Sequence, residues 1–203
     1  MAQTTNDQAG GSSMAVIIAA GAVVLALSFG VRSIFGGVLD PVSQDLFDGR
    51  LEVFSLSIAI QNLVWGLAQP AFGMIADRFG DRRALWIGFV CYVAGMALSA
   101  VGMTAAEQHI GAGVLVGMGI AGTAFGLVLS VVGRAAPAHR RSQYLGLTSA
   151  LGSAGQVALP LLAAELTAAY DWRTTLMVLT AVLLPMALCI PLLKAPGAAG
   201  APA

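Results

Sequence analysis

Six apolar stretches, each long enough to cross a bilayer as a helix, occupy this chain from residue 14 to residue 193 and leave little room for another architecture. They run Met14 to Val38, Val53 to Ile75, Ala84 to Met103, Ile110 to Val132, Tyr144 to Ala168 and Thr175 to Leu193. A helix rises 1.5 Å per residue, so roughly 20 residues span a hydrocarbon core about 30 Å thick. No water is present there to satisfy backbone N–H and C=O groups, so such stretches must be helical. Their apolar residues come in runs and do not alternate with polar ones at the period of a surface helix. Charge is scarce to match: 10% of residues against 58% hydrophobic, with a mean hydropathy of +0.84, where a soluble domain has about 25% charged residues. The expectation is an all-α membrane protein in which residues 14–194 form one domain of six transmembrane helices.

The flanks differ in character. Residues 1–13 are rich in Gln, Asn, Ser and Gly and carry no Lys or Arg, which predicts a disordered tail. The first run is too long for a signal-peptide core, so no cleavable signal is expected. Residues 195–203 are Ala, Pro and Gly only and are expected to be a flexible tail. Cys91 and Cys189 fall inside runs 3 and 6 and behave as small buried hydrophobes. No metal-ligand, cofactor or nucleophile pattern stands out, so no metal, no cofactor and no enzymatic chemistry are expected.

The connectors alternate in sign. Connectors 2–3 and 4–5, with Lys194, hold Arg78, Arg82, Arg83, Arg134, Arg140 and Arg141, seven of the ten basic residues. The other three connectors hold seven acids, Asp40, Asp45, Asp48, Glu52, Glu107, Glu165 and Asp171, against Arg50 and Arg173. The positive-inside rule puts the arginine-rich connectors and both termini in the cytoplasm. A multi-pass plasma-membrane protein follows, with a bacterial inner membrane as the expected setting. The same topology accounts for the basic residues and argues against nucleic-acid binding.

Connector 2–3 reads Gly73-Met-Ile-Ala-Asp77-Arg78-Phe-Gly80-Asp-Arg82-Arg83. Gly80 permits a tight reversal with positive φ. Gly73 allows close approach to a neighbouring helix. Asp77 is expected to favour the start of the next helix and to pair with a guanidinium. The turn resembles the signature of the major facilitator superfamily, which lies between helices 2 and 3. The resemblance implies a fold of two six-helix halves, each a 3+3 inverted repeat, with this chain matching the N-terminal half. It implies that Gly73, Asp77, Arg78, Gly80, Arg82 and Arg83 act as a gating latch; a plain topology anchor is the alternative. Asp77-Arg78 after run 2 and Asp171-Trp172-Arg173 after run 5 give a faint inverted echo of each other. Ser28 to Gly36 and Gln61 to Pro70 further resemble the branch of monocarboxylate transporters and oxalate/formate antiporters. Two departures stand against proton-coupled drug antiport. His109-Ile110-Gly111 occupies the place of an arginine often found early in helix 4, and Gly152, Gly155 and Pro160 do not match the glycine-proline motif of helix 5.

Within the runs, Arg32 is the sharpest candidate. Counted from Asp40, it sits roughly 10–12 Å inside the outer end, where an arginine costs about 2.5–3.5 kcal/mol to insert unless it pairs or meets water. It either binds a carboxylate in a cavity or snorkels outward to an acid of connector 1–2. Gln61, Trp65 and Gln69 lie four apart on one face. Gln61 is expected to line a path, Asn62 to make an interhelical hydrogen bond, and Gln156 to join the lining. Pro70 is expected to kink its helix. Both histidines, His109 and His139, fall in connectors. The function expected is alternating-access transport of a small organic anion such as a monocarboxylate, with Arg32, Gln61, Asn62 and Gln156 contacting substrate. Export of neutral or cationic molecules, or a non-transporting six-helix subunit, are the alternatives. The partners expected are an anionic small molecule, the lipid bilayer, and a second six-helix half or a second copy of the chain.

Overall fold

The computed structural model describes residues 2–193, with side chains from residue 14 onward. Among the described residues six helices are long and apolar enough to cross a membrane: helix 1, Met14–Phe47; helix 2, Leu51–Phe79; helix 3, Asp81–Val101; helix 4, Ala105–Ala135; helix 5, Ala138–Ala169; and helix 6, Trp172–Leu192. All regular structure described is helical. The all-α transmembrane expectation holds. The first helix is continuous from Ala2 to Ser33, so it takes in residues that composition assigns to a tail. Residues 195–203 lie outside the described part.

Local chemistry sets the joints. Helix 2 stops at Gly80, whose φ of +90° turns the chain straight into helix 3, a conformation open to glycine at little cost. Helix 4 starts at a capping box: Thr104 accepts from the Glu107 N–H while Glu107 accepts from the Thr104 N–H. Helix 6 starts at Asp171, whose carboxylate accepts from the Thr174 N–H at 2.6 Å. Pro70 sits inside an unbroken helix 2.

The bundle is held by close crossings of small residues, as expected where lipid is as apolar as the side chains. Helix 5 lies on helix 1 at Gly155, where an added Cβ would stand 2.0 Å from the Ala26 carbonyl oxygen. Helices 3 and 4 meet at Gly88 and Gly122, where either Cβ would fall within 2.7 Å of the other residue's Cα. Helices 1, 3 and 4 are buried over 67%, 50% and 56% of their apolar windows, but helices 2 and 5 over only 17% and 22%. Those two therefore present an open apolar side, with Leu56, Leu63, Leu67, Val157 and Leu161 exposed.

Two ion pairs expose the internal symmetry. Asp81, the first residue of helix 3, pairs with Arg134 in the last turn of helix 4. Arg173, in the first turn of helix 6, pairs with Asp45 in the last turn of helix 1 at 3.5 Å. Exchanging helices 1–3 with 4–6 turns one pair into the other, at the opposite end of the bundle and with the charges swapped. That is the pattern of a 3+3 inverted repeat. Trp172 strengthens the second clasp by donating to Asp45 at 3.1 Å.

Candidate functional site

Arg32 lies deeper than the sequence suggests. Its guanidinium carbon is 4.8 Å from the centre of the Trp65 ring, and residue 65 is midway along helix 2, Leu51–Phe79. The expectation of a position near the outer end fails because helix 1 runs two turns past Asp40 to Phe47. Nor does the side chain reach an acid: among the described residues the ion pairs are those of Arg134 and Arg173, not Arg32. Arg32 is thus a half-buried cation beside the middle of helix 2, with no countercharge among the described residues, a costly placement for an arginine inside a span.

Its polar partners are sparse. Arg32 Nη2 donates to Asn62 Oδ1 at 2.7 Å, and Asn62 Nδ2 donates to the Ile58 carbonyl at 2.8 Å, which fixes the amide with its oxygen toward the cation. Arg32 Nε is buried without a partner, and so is Trp65 Nε1. Two buried N–H donors without acceptors among the described residues are costly, about 1–3 kcal/mol each.

A row of rings runs on from the guanidinium. Trp65 meets Phe29 edge-on at 5.8 Å, and Phe29 meets Phe125 at 4.7 Å. Phe125 follows a true break in helix 4: Ala124 has extended backbone, φ −75° and ψ 171°, and the next helical segment begins there without a side-chain cap. Gly126 in its first turn faces open space. The positive end of that half-helix therefore lies beside the aromatic row. Beneath it, a buried chain ties three helices. Tyr92 donates to the Ser28 carbonyl at 2.6 Å. Thr123 donates to the Gly119 carbonyl, so the 2.7 Å contact between Ser28 and Thr123 has Ser28 as donor.

Gln61 departs from the lining role expected of it, while Asn62 makes the interhelical hydrogen bond expected of it, to Arg32 of helix 1. Gln61 is 1% exposed and donates to the Ala112 carbonyl at 2.9 Å. Helix 4 is a π-helix over His109–Leu115, and Val116 N–H goes to the Gly111 and Gly113 carbonyls, passing over Ala112. Gln61 fills that gap, so it is a packing group and not a lining one. Asn62 is exposed and holds Arg32. Gln156 is half-buried one residue beyond the Gly155 crossing and forms no side-chain hydrogen bond among the described residues. His109, expected in a connector, sits in the second turn of helix 4 with Nδ1 2.8 Å from Ser57 Oγ of helix 2.

In the connector signature, Gly73, Asp77, Arg78, Gly80, Arg82 and Arg83 are all exposed. Gly73 makes no close approach, since nothing lies within 4 Å of its Cβ position. Asp77 ends helix 2 rather than starting helix 3, and it has no ion-pair partner among the described residues; Asp81 takes the pairing role instead. Arg78 lies over the Phe79 ring at 5.3 Å. Sequence reasoning missed Phe29, Phe125 and the Asp81–Arg134 pair, and only the shared position of Trp65 on the face of Asn62's helix pointed toward the cluster.

Inverted helix triplets and an open apolar side mark a multi-pass membrane protein built as a 3+3 inverted repeat. The profile of the Major Facilitator Superfamily matches residues 21–202, and the chain belongs to that superfamily. Among curated relatives, it is 31% identical over 140 residues to Multidrug transporter AQR1 of Candida glabrata, covering 66% of this chain and 22% of that protein. It is 29% identical over 132 residues to Probable transporter AQR1 of Saccharomyces cerevisiae, covering 62% of this chain and 21% of that protein. The matched segments thus span about a fifth of either relative's length.

Proposed function

We propose that this chain forms one wall of an alternating-access pathway for a small organic anion such as a monocarboxylate, in keeping with the resemblance of residues 28–36 and 61–70 to the monocarboxylate and oxalate/formate branch. The observation that carries it is the Arg32 guanidinium beside the middle of helix 2, without an ion partner among the described residues. A carboxylate accepting from its free edge would supply both the missing charge and the missing hydrogen bonds. Asn62 and Trp65 hold the guanidinium for that purpose, and Gln156 belongs to the path on the helix 5 side. The open faces of helices 2 and 5 seat a second six-helix unit, from a longer form of the protein, another chain or a second copy. The arginine-rich end, with both termini, is cytoplasmic in a plasma membrane, the inner membrane in a bacterial cell. There Asp77, Arg78, Arg82 and Arg83, exposed and without ion partners among the described residues, form a latch against that second unit.

The test is uptake of labelled carboxylates into proteoliposomes carrying the protein with its second unit, comparing the parent with Arg32→Gln. Loss of uptake with normal insertion is expected; equal uptake rejects the role of Arg32. A tag placed in the 77–83 turn and labelled only after permeabilisation is the matching test of orientation. A second reading, export of neutral or cationic compounds, is favoured by the printed name of the Candida glabrata relative; drug resistance that survives Arg32→Gln would select it. A non-transporting subunit would give no flux in either assay.

A further inference from the structure

Resting on the anion reading above, we propose that the anion taken at Arg32 is monovalent and carries a flat apolar body, an aromatic monocarboxylate of the benzoate class, seated along the Trp65–Phe29–Phe125 row. Charge balance gives the valence. Every other basic residue described lies at a helix end or in a connector: Arg50, Arg78, Arg82, Arg83, Arg134, Arg140, Arg141 and Arg173. Among the described residues the interior of these six spans offers one positive charge, which neutralises one carboxylate; the second charge of a dicarboxylate would need a cation from the facing unit or lie uncompensated in low dielectric.

The shape follows from what surrounds the cation. Trp65 covers one face of the guanidinium at 4.8 Å, and Asn62 occupies part of Nη2. Arg32 Nε and Trp65 Nε1 are the buried donors still without acceptors. A carboxylate on the guanidinium would lie next to the ring row that begins at Trp65, whose members are 5.8 Å and 4.7 Å apart centre to centre. Formate or acetate would gain the charge pair but lose its water there with no ring contact in return. An aryl group gains ring–ring contact instead.

The experiment is equilibrium binding of benzoate, acetate and oxalate to the protein with its second unit in lipid nanodiscs. Benzoate is expected to bind at least about tenfold tighter than acetate, the size of one or two aromatic contacts, with oxalate weaker than acetate. Phe125→Leu keeps an apolar residue of similar bulk and is expected to shrink the benzoate-to-acetate ratio by about fivefold. The melting temperature of each variant is recorded alongside. Equal affinities for benzoate and acetate, or a ratio untouched by Phe125→Leu in a folded protein, overturns the aromatic assignment while leaving the anion site intact. No binding of any anion, or binding indifferent to Arg32→Gln, overturns the anion reading itself. Oxalate bound more tightly than benzoate overturns the single-charge argument.

Discussion

Gly155→Ala adds one methyl group at the tightest crossing of the bundle. The new carbon would lie 2.0 Å from the Ala26 carbonyl oxygen, 2.5 Å from its carbon and 2.6 Å from its Cα. All three atoms are backbone, so no rotamer change relieves the clash, and helices 1 and 5 must separate by about 1.4 Å to restore an ordinary 3.4 Å contact. Overpacking of this kind costs about 3 kcal/mol at the upper end of its usual range. Alanine is a better helix former than glycine by about 1 kcal/mol, so the net loss is about 2 kcal/mol. For a domain of this size that lowers the melting temperature by roughly 4–8 °C. Gly146→Ala is the internal control: it lies in the same helix, nothing stands within 4 Å of its Cβ position, and the propensity gain alone should raise the melting temperature by about 2–4 °C. Thermal unfolding of both variants in one detergent decides the matter. The two must shift in opposite directions; if Gly155→Ala also stabilises, helices 1 and 5 do not touch at this point. Gly30 belongs to the same crossing and lies half a turn from Arg32, so the wedge should also weaken anion binding.

Gln61→Leu removes the donor to the Ala112 carbonyl but keeps the volume. It should lower stability by about 0.6 kcal/mol and leave anion affinity unchanged; a loss of binding in a stably folded variant would restore Gln61 to the path. Asp171 tests the start of helix 6 by pH. The Thr174 backbone N–H bonded to its carboxylate holds its pKa below the ordinary 3.8. A folded-state pKa depressed in this way gives stability that is complete above 3.8 and is lost as pH falls through the lower folded value. Melting temperatures taken from about pH 6 down to about pH 2 should show an acid-side loss that is smaller in Asp171→Asn, which keeps a capping oxygen without the titration.

The number and order of the spans were legible because they are one-dimensional. Each apolar run fixed a helix, each break fixed a joint, and the sign of each connector separated the two ends. Gly80 was readable as a positive-φ turn because a reversal within one residue between two helices leaves few alternatives to glycine. The inverted repeat was faintly visible in Asp77-Arg78 and Asp171-Trp172-Arg173. Its firm evidence is the pair of charge-swapped clasps, Asp81 with Arg134 and Arg173 with Asp45. These join residues 53 and 128 positions apart, which no local pattern reveals.

Azimuth around each helix was the part that sequence could not supply, and the candidate site depends on it. In a soluble helix the polar stripe marks solvent and so fixes rotation. Here lipid, core and partner faces are all apolar, so the stripe is missing and adjacent polar residues, about 100° apart around the axis, become ambiguous. Gln61 and Asn62 illustrate the result: one rotates into the gap left by the π-helix of helix 4 and the other out to Arg32. The same lack misplaced Arg32, since an acid marks the water boundary only where its own face is wet. Asp40 is exposed, yet the helix continues through Pro41 to Phe47, because a membrane helix can project into water as far as its hydrogen bonds carry it. Arg32 therefore lies 15 residues, about 22 Å, from the end of its helix.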